Sequence, residues 1–119
     1  MQKVALNAVA ATTTSDGFSV ENLKELAIQL IAADIDSGNG AFEVHGSLDG
    51  TNWVTLAVID NLATTNSETL TRVTSKTLSS NTSVMVFLDP FVKPKLLRVK
   101  VTRTTDGTYS AIVFGTKHT

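Results

Sequence analysis

Phe42, Val44, Gly46 and Leu48 alternate with Glu43, His45 and Ser47. This is the period of two that gives a β-strand one dry face and one wet one. Leu97, Val99 and Val101 alternate in the same way with Arg98, Lys100 and Thr102. Other segments are apolar on both faces. Val84–Leu88 runs unbroken to Asp89-Pro90, and Ala111–Phe114 closes a segment that begins at Tyr109. In Trp53–Ile59, Trp53, Ala57 and Ile59 share one face while Val54, Leu56 and Val58 share the other. Such strands need cover on their second face, either from loops of the same chain or from another subunit. Ser37-Gly38-Asn39-Gly40, Asp49-Gly50-Thr51-Asn52 and Asp106-Gly107 separate these segments with residues that tolerate positive φ. Strands recurring every ten or so residues predict an all-β protein: a single antiparallel β-sandwich of about eight strands.

One segment fits two periods. Leu23, Leu26, Ala27, Leu30 and Ile31 stand at helical spacing, and Ser19 or Asn22 could cap such a helix. The same residues place Leu26, Ile28 and Leu30 on one face of a strand, with Ala27, Gln29 and Ile31 on the other. Local propensity favours the helix, but a sandwich needs a long partner for Phe42–Leu48, so residues 25–33 are read as a strand. Residues 1–18 show little periodicity. They are read as an extended N-terminal arm preceding a sandwich domain at 19–119, with Met1, Lys3, Val4 and Leu6 as candidate docking residues. An arm that orders on binding can wrap a partner.

Composition narrows the class. A chain of 119 residues, 42% hydrophobic and 18% charged, makes one globular domain. Cysteine is absent, which removes disulfide frameworks and thiolate metal sites. No apolar run reaches the roughly 18 residues that span a bilayer, and Lys3 followed by Asn7 makes too weak a leader for export. No membrane partner is expected, and synthesis in a cytoplasm is. The formal net charge of −1 conceals an asymmetry: residues 1–60 are predominantly acidic and residues 61–119 predominantly basic. Intermixing of the halves in a sandwich would neutralise both, whereas segregation would give a dipolar surface that favours side-by-side association.

Candidate chemistry is sparse. His45 and Glu43 share a wet strand face, a pairing able to hold a metal or shuttle a proton but equally ordinary on any solvated strand. His118 is penultimate and expected to fray. No nucleophile elbow, phosphate loop or dinucleotide fingerprint occurs. Gly38-Asn39-Gly40 reads as a turn, and Asp34, Asp36 and Asn39 lack the ligand spacing of a calcium loop. Arg98, Lys100 and Arg103 form a candidate basic face, but no aromatic interleaves with them for base stacking, so nucleic acid is not expected. No enzyme activity and no cofactor are expected.

The stretch Ala41–Trp53, a strand closing on Gly-Ser-Leu-Asp-Gly-Thr-Asn-Trp, resembles a hairpin of discoidin-like and related jelly-roll sandwiches. In particular it resembles small structural proteins of tailed bacteriophages. Asp89-Pro90-Phe91, then Leu96–Thr102, a turn and a final apolar strand extend the resemblance over about residues 23–117. The resemblance implies a virion protein: a capsid decoration or head-stabilising component, or a fibre, baseplate or carbohydrate-binding module. The decoration reading is preferred, with a major capsid or other virion protein as partner and a homo-oligomer expected. Sugar sites need exposed aromatics, whereas Trp53 and Tyr109 are both expected to pack in the core. A carbohydrate-binding or adhesive module for a host surface is the alternative, with its cleft placed around Asp49–Trp53 and Asn81.

Overall fold

The computed structural model describes residues 1–60 and 70–117. Two antiparallel sheets pack face to face. Sheet A contains β1 (Gln2–Val9), β4 (Leu23–Ala33), β7 (Val58–Ile59), β8 (Arg72–Val73), β10 (Thr82–Leu88) and β12 (Thr108–Lys117), in the order β1-β12-β4-β10-β7-β8. Sheet B contains β2 (Thr13–Thr14), β11 (Leu96–Thr104), β5 (Asn39–Ser47) and β6 (Val54–Leu56) in that order; β3 (Phe18–Ser19) also pairs with β11, and β9 (Lys76–Leu78) with β5.

The ambiguous segment is a strand, longer than the sequence suggested. β4 lies between β12 and β10 and pairs with both. Leu26, Ile28, Leu30 and Ala32 point into the core at 7% exposure or less. Pairing on both edges and burial on one face override the helical propensity of Glu21–Leu26. From the other sheet, Phe42 and Val44 of β5 and Leu97, Val99 and Val101 of β11 meet these side chains in one cluster. Tyr109 is fully buried; its ring meets Phe42 edge-on with centroids 6.0 Å apart, and its hydroxyl donates to the Asp106 carbonyl at 2.8 Å.

Trp53–Ile59 is not one strand. Residues 54–56 pair with β5 in sheet B, and residues 58–59 pair with β10 in sheet A, so the chain crosses between sheets at Ala57. Leu56 and Val58 both enter the core. The double-faced apolarity of this segment is therefore that of a chain changing sheets.

The N-terminal arm is corrected. Residues 2–9 form β1, an edge strand of sheet A hydrogen-bonded along β12, and Leu6 is buried in the core at 2% exposure. β2 and β3 then run along β11 in sheet B. Residues 1–18 thus belong to the sandwich and bridge its two sheets. Two bulges in β1 hide the strand from the sequence pattern. Val4 pairs with Ile112 on the outer face, yet Leu6 pairs with inward-facing Ala111, and Val9 with Tyr109. Each bulge inserts an extra residue and shifts the two-residue period; Ala8 takes φ +50° at the second.

The turns also differ in detail. Gly50 and Gly107 adopt φ of +78° and +102°, as expected of them. Gly38 and Gly40 do not. A Cβ on Gly40 would lie 2.4 Å from Tyr109 Cε1, so close approach of the Tyr109 ring, and not backbone conformation, is what demands glycine there.

Candidate functional site

Three regions carry the side chains that matter for function. The first is the outer face of sheet B. Arg98 of β11 donates from Nε to His45 Nδ1 at 3.1 Å, and His45 Nε2 lies 3.2 Å from Glu43 Oε1. Because Nδ1 accepts from Arg98, the ring proton sits on Nε2 and points to the carboxylate. Thr55 Oγ1 adds a longer bond to Glu43 at 3.4 Å. The Arg98 guanidinium also stands 4.4 Å from the Trp53 ring centroid. The edge of that ring lies against Gly17, where a Cβ would come within 2.7 Å of Cη2. Trp53 is therefore held on the outside of sheet B between residues 17 and 98. This corrects its expected place in the core; only Tyr109 of the pair is a core residue.

The candidate basic face is divided by this arrangement. Arg98 and Lys100 project from the outer face, with Arg98 occupied by His45 and Trp53. Arg103 has the parity of the inward residues, and its Nε donates to the Gly107 carbonyl at 2.9 Å. His45 is 9% exposed, so this network is structural and offers no open acid–base pair. Among the described residues no group of three or more metal-ligating side chains converges; His118 lies outside the described residues. Around the loop of Asp34 and Asp36, the Asp106 carboxylate accepts from the backbone N–H groups of Asp36, Ser37 and Gly38, and Asp34 Oδ2 accepts from Thr108 Oγ1 at 3.4 Å. The halves of opposite charge do intermix, with Lys95 paired to Glu21 and Lys76 to Asp60.

The second region is the loop end formed by Val20–Asn22, Leu48–Trp53 and Asp89–Lys95. A cleft of about 390 Å³ opens there, lined by Gly46, Leu48, Val54, Leu56, Val92 and Pro94 among others. A second cleft of about 440 Å³ lies across the shared Val92–Pro94 segment, flanked by Glu21, Lys24, Glu25 and Asp89. Leu48, Val54 and Phe91 project beside them at 68%, 61% and 87% exposure. The supporting turn is stiff. The Asp49 carboxylate accepts from Thr51 N at 2.9 Å and from Asn52 N at 2.8 Å, and Asn52 Nδ2 binds its other oxygen at 2.7 Å. Hydrogen bonds from Asn52 hold the Asp49 carboxyl far below the usual carboxylate range. Asp89 braces the neighbouring loop. Its hydrogen bond from Arg72, joined by Phe91 N, lowers its carboxyl as well. Asn81 is not part of this end. It immediately precedes Thr82, which pairs with Ala32, and its Oδ1 accepts from Ile35 N at the opposite end of the sandwich.

The third region is the outer face of sheet A, where strand register aligns side chains in rows. One row is Val4–Ile112–Gln29–Met85, and the next is Gln2–Phe114–Ala27–Phe87–Ile59. A third is Ser110–Ile31–Ser83. Val4, Met85 and Phe114 are 49%, 43% and 49% exposed. The doubly apolar character of β10 and β12 is thus a genuine second face of sheet A. Nothing in the sequence said which strands would align, so the face could not be assembled from the pattern alone.

No protein-family model matches the chain, and no curated protein is similar to it. Among solved structures it is similar to the SPBc2 prophage-derived protein YomS, with a TM-score of 0.70 and 9% identity over 98% of this chain and 92% of that one. At that identity the likeness is one of fold.

Proposed function

We propose that the protein is a structural component of a bacteriophage particle, a capsid-decorating or head-stabilising protein that works by docking onto another virion protein. The observation that carries the reading is the loop end: Leu48 and Val54 stand in water at an apolar cleft, Phe91 stands in water on the adjoining loop, and Asp49 and Asp89 brace the turns beside them. A small domain gains nothing in its own stability from three exposed large apolar side chains on rigid supports, and such patches mark protein contacts. The likeness of fold to a prophage-derived protein supports the phage setting, as does the resemblance of Gly46–Trp53 to the hairpin of small jelly-roll virion proteins. No sugar-stacking platform is evident at Trp53, one face of which lies under Arg98; the glycan alternative therefore gains no support there.

The test is co-sedimentation with particles of the phage that encodes the protein. The wild-type chain is expected in the particle band, and Phe91→Lys together with Leu48→Asp is expected to leave it in the soluble fraction while still folded. Wild-type protein that stays soluble while particles assemble normally refutes the reading. Deleting residues 1–15 is not a usable test of docking, because it removes β1 from sheet A.

A further inference from the structure

From β1 to β7 the three rows on the outer face of sheet A contain no charged side chain; Arg72 of β8, opposite Ile59, closes the second row and is neutralised by Asp89. From Ser83, Ile31 and Ser110 across to Phe87, Ala27 and Phe114, every position is apolar, a serine or a glutamine. The central polar groups already satisfy one another: Gln29 Nε2 donates to Ser83 Oγ at 2.8 Å, and the Ser110 hydroxyl accepts from Ala8 N at 2.8 Å. Covering this face therefore removes apolar surface from water and strands few polar groups.

We propose that a second copy of this chain covers the face, with sheet A stacked on sheet A about a twofold axis. This goes beyond the docking role of the loop end and uses a different surface. Charge supports this occupant. A twofold contact sets the same patch on both copies, so any net charge on it repels itself; a neutral patch is free of that penalty. A different partner is usually selected by complementary charge, which this face does not offer. Shape supports it too, because sheet faces stack on sheet faces at about 10 Å with interdigitating side chains. Eleven positions on β1, β12, β4 and β10, spaced about 4.8 Å across the strands and about 6.8 Å along them, outline a patch of roughly 360 Å², or about 720 Å² over two copies, the size of a weak, transient contact. The modest area implies an assembly that dissociates on dilution.

Sedimentation equilibrium or light scattering across about 1–200 μM tests this directly. The wild type is expected to move from 12.7 kDa toward twice that mass as concentration rises. Met85→Lys and Phe114→Lys are expected to remain monomeric at every concentration with unchanged circular dichroism. Lys100→Glu, on the outer face of the other sheet, is expected to dimerise like the wild type. Should the two lysine variants fail to fold, Ser83→Arg places the charge at an exposed polar position of the same face. A wild type that stays monomeric throughout overturns the proposal, as do folded variants that still dimerise. A dimer that ignores phage particles leaves this inference standing and removes the docking function; a particle-bound monomer does the reverse.

Discussion

Replacing Arg98 with alanine would remove two contacts at once from the outer face of sheet B. The first is the Nε–H donated to His45 Nδ1 at 3.1 Å. A hydrogen bond from a charged donor contributes about 1.5–3 kcal/mol, and here its loss leaves an acceptor on a residue only 9% exposed. The second is the guanidinium 4.4 Å above Trp53, worth about 0.5–1 kcal/mol at a partly exposed site. The two overlap, so the expected loss is about 2–3 kcal/mol, or roughly 10 °C in Tm for a domain of this size. Trp53 is the sole tryptophan, which makes its fluorescence an unambiguous reporter. Urea unfolding followed at Trp53 would give the stability, and the native emission would shift to the red as the ring loses its cover. Arg98→Lys keeps a cation near the ring but not the planar donor, so it should lose less than alanine and leave His45 without its Nδ1 partner. Nitrogen-15 spectra of the imidazole should show the proton on Nε2 in the wild type. A stability loss below about 0.5 kcal/mol for Arg98→Ala, with unshifted emission, would refute the account.

Tyr109→Phe removes the hydroxyl bonded to the Asp106 carbonyl and should cost about 1–2 kcal/mol by chemical denaturation, with the sandwich intact; no measurable loss would show that the bond contributes nothing net. Asp49, Asp89 and Asp106 all have carboxyls lowered by hydrogen bonds that only the folded chain supplies. Their stabilisation is complete above the pKa of an unfolded aspartate, near 4, and is lost as pH falls toward the lower folded values. Thermal stability should therefore weaken between about pH 4 and pH 2, and Asp106→Asn should lessen the slope; a flat profile over that range would contradict it.

Strands with an unbroken alternation were legible from the residues alone. β5 and β11 are predicted over their middles, because there each alternates between the core and the outer face; the start of β5 at Asn39 and Gly40, read as part of a turn, pairs with Arg103 and Thr104 instead. The Asp49-Gly50 turn is likewise visible, since the Asp49 carboxylate and Gly50 φ act locally. β1 was not, because its two bulges erase the period that identifies a strand. Trp53 was misplaced for a different reason. A large aromatic is usually placed in the core by default, and only the alignment of β5, β6 and β11 shows that Arg98 and Gly17 can hold it outside. Apolar residues on the second faces of β10 and β12 could be read, but their assembly into one neutral patch depends on long-range register.

The pairing of β1 with β12 has a consequence for how the sandwich is made. The first of its strands to leave the ribosome has as its partner the last, and β4 waits for β12 along its own free edge. Until residues 108–117 have been synthesised, sheet A lacks the strand that joins β1 to β4. The sandwich consequently closes only once its final strand has emerged, by a loop closure spanning almost all of its residues. Such non-local topology folds slowly, and during the delay the apolar outer face of sheet A has no partner strand order to define it. Synthesis of many copies at once would then place a premium on prompt completion of β12.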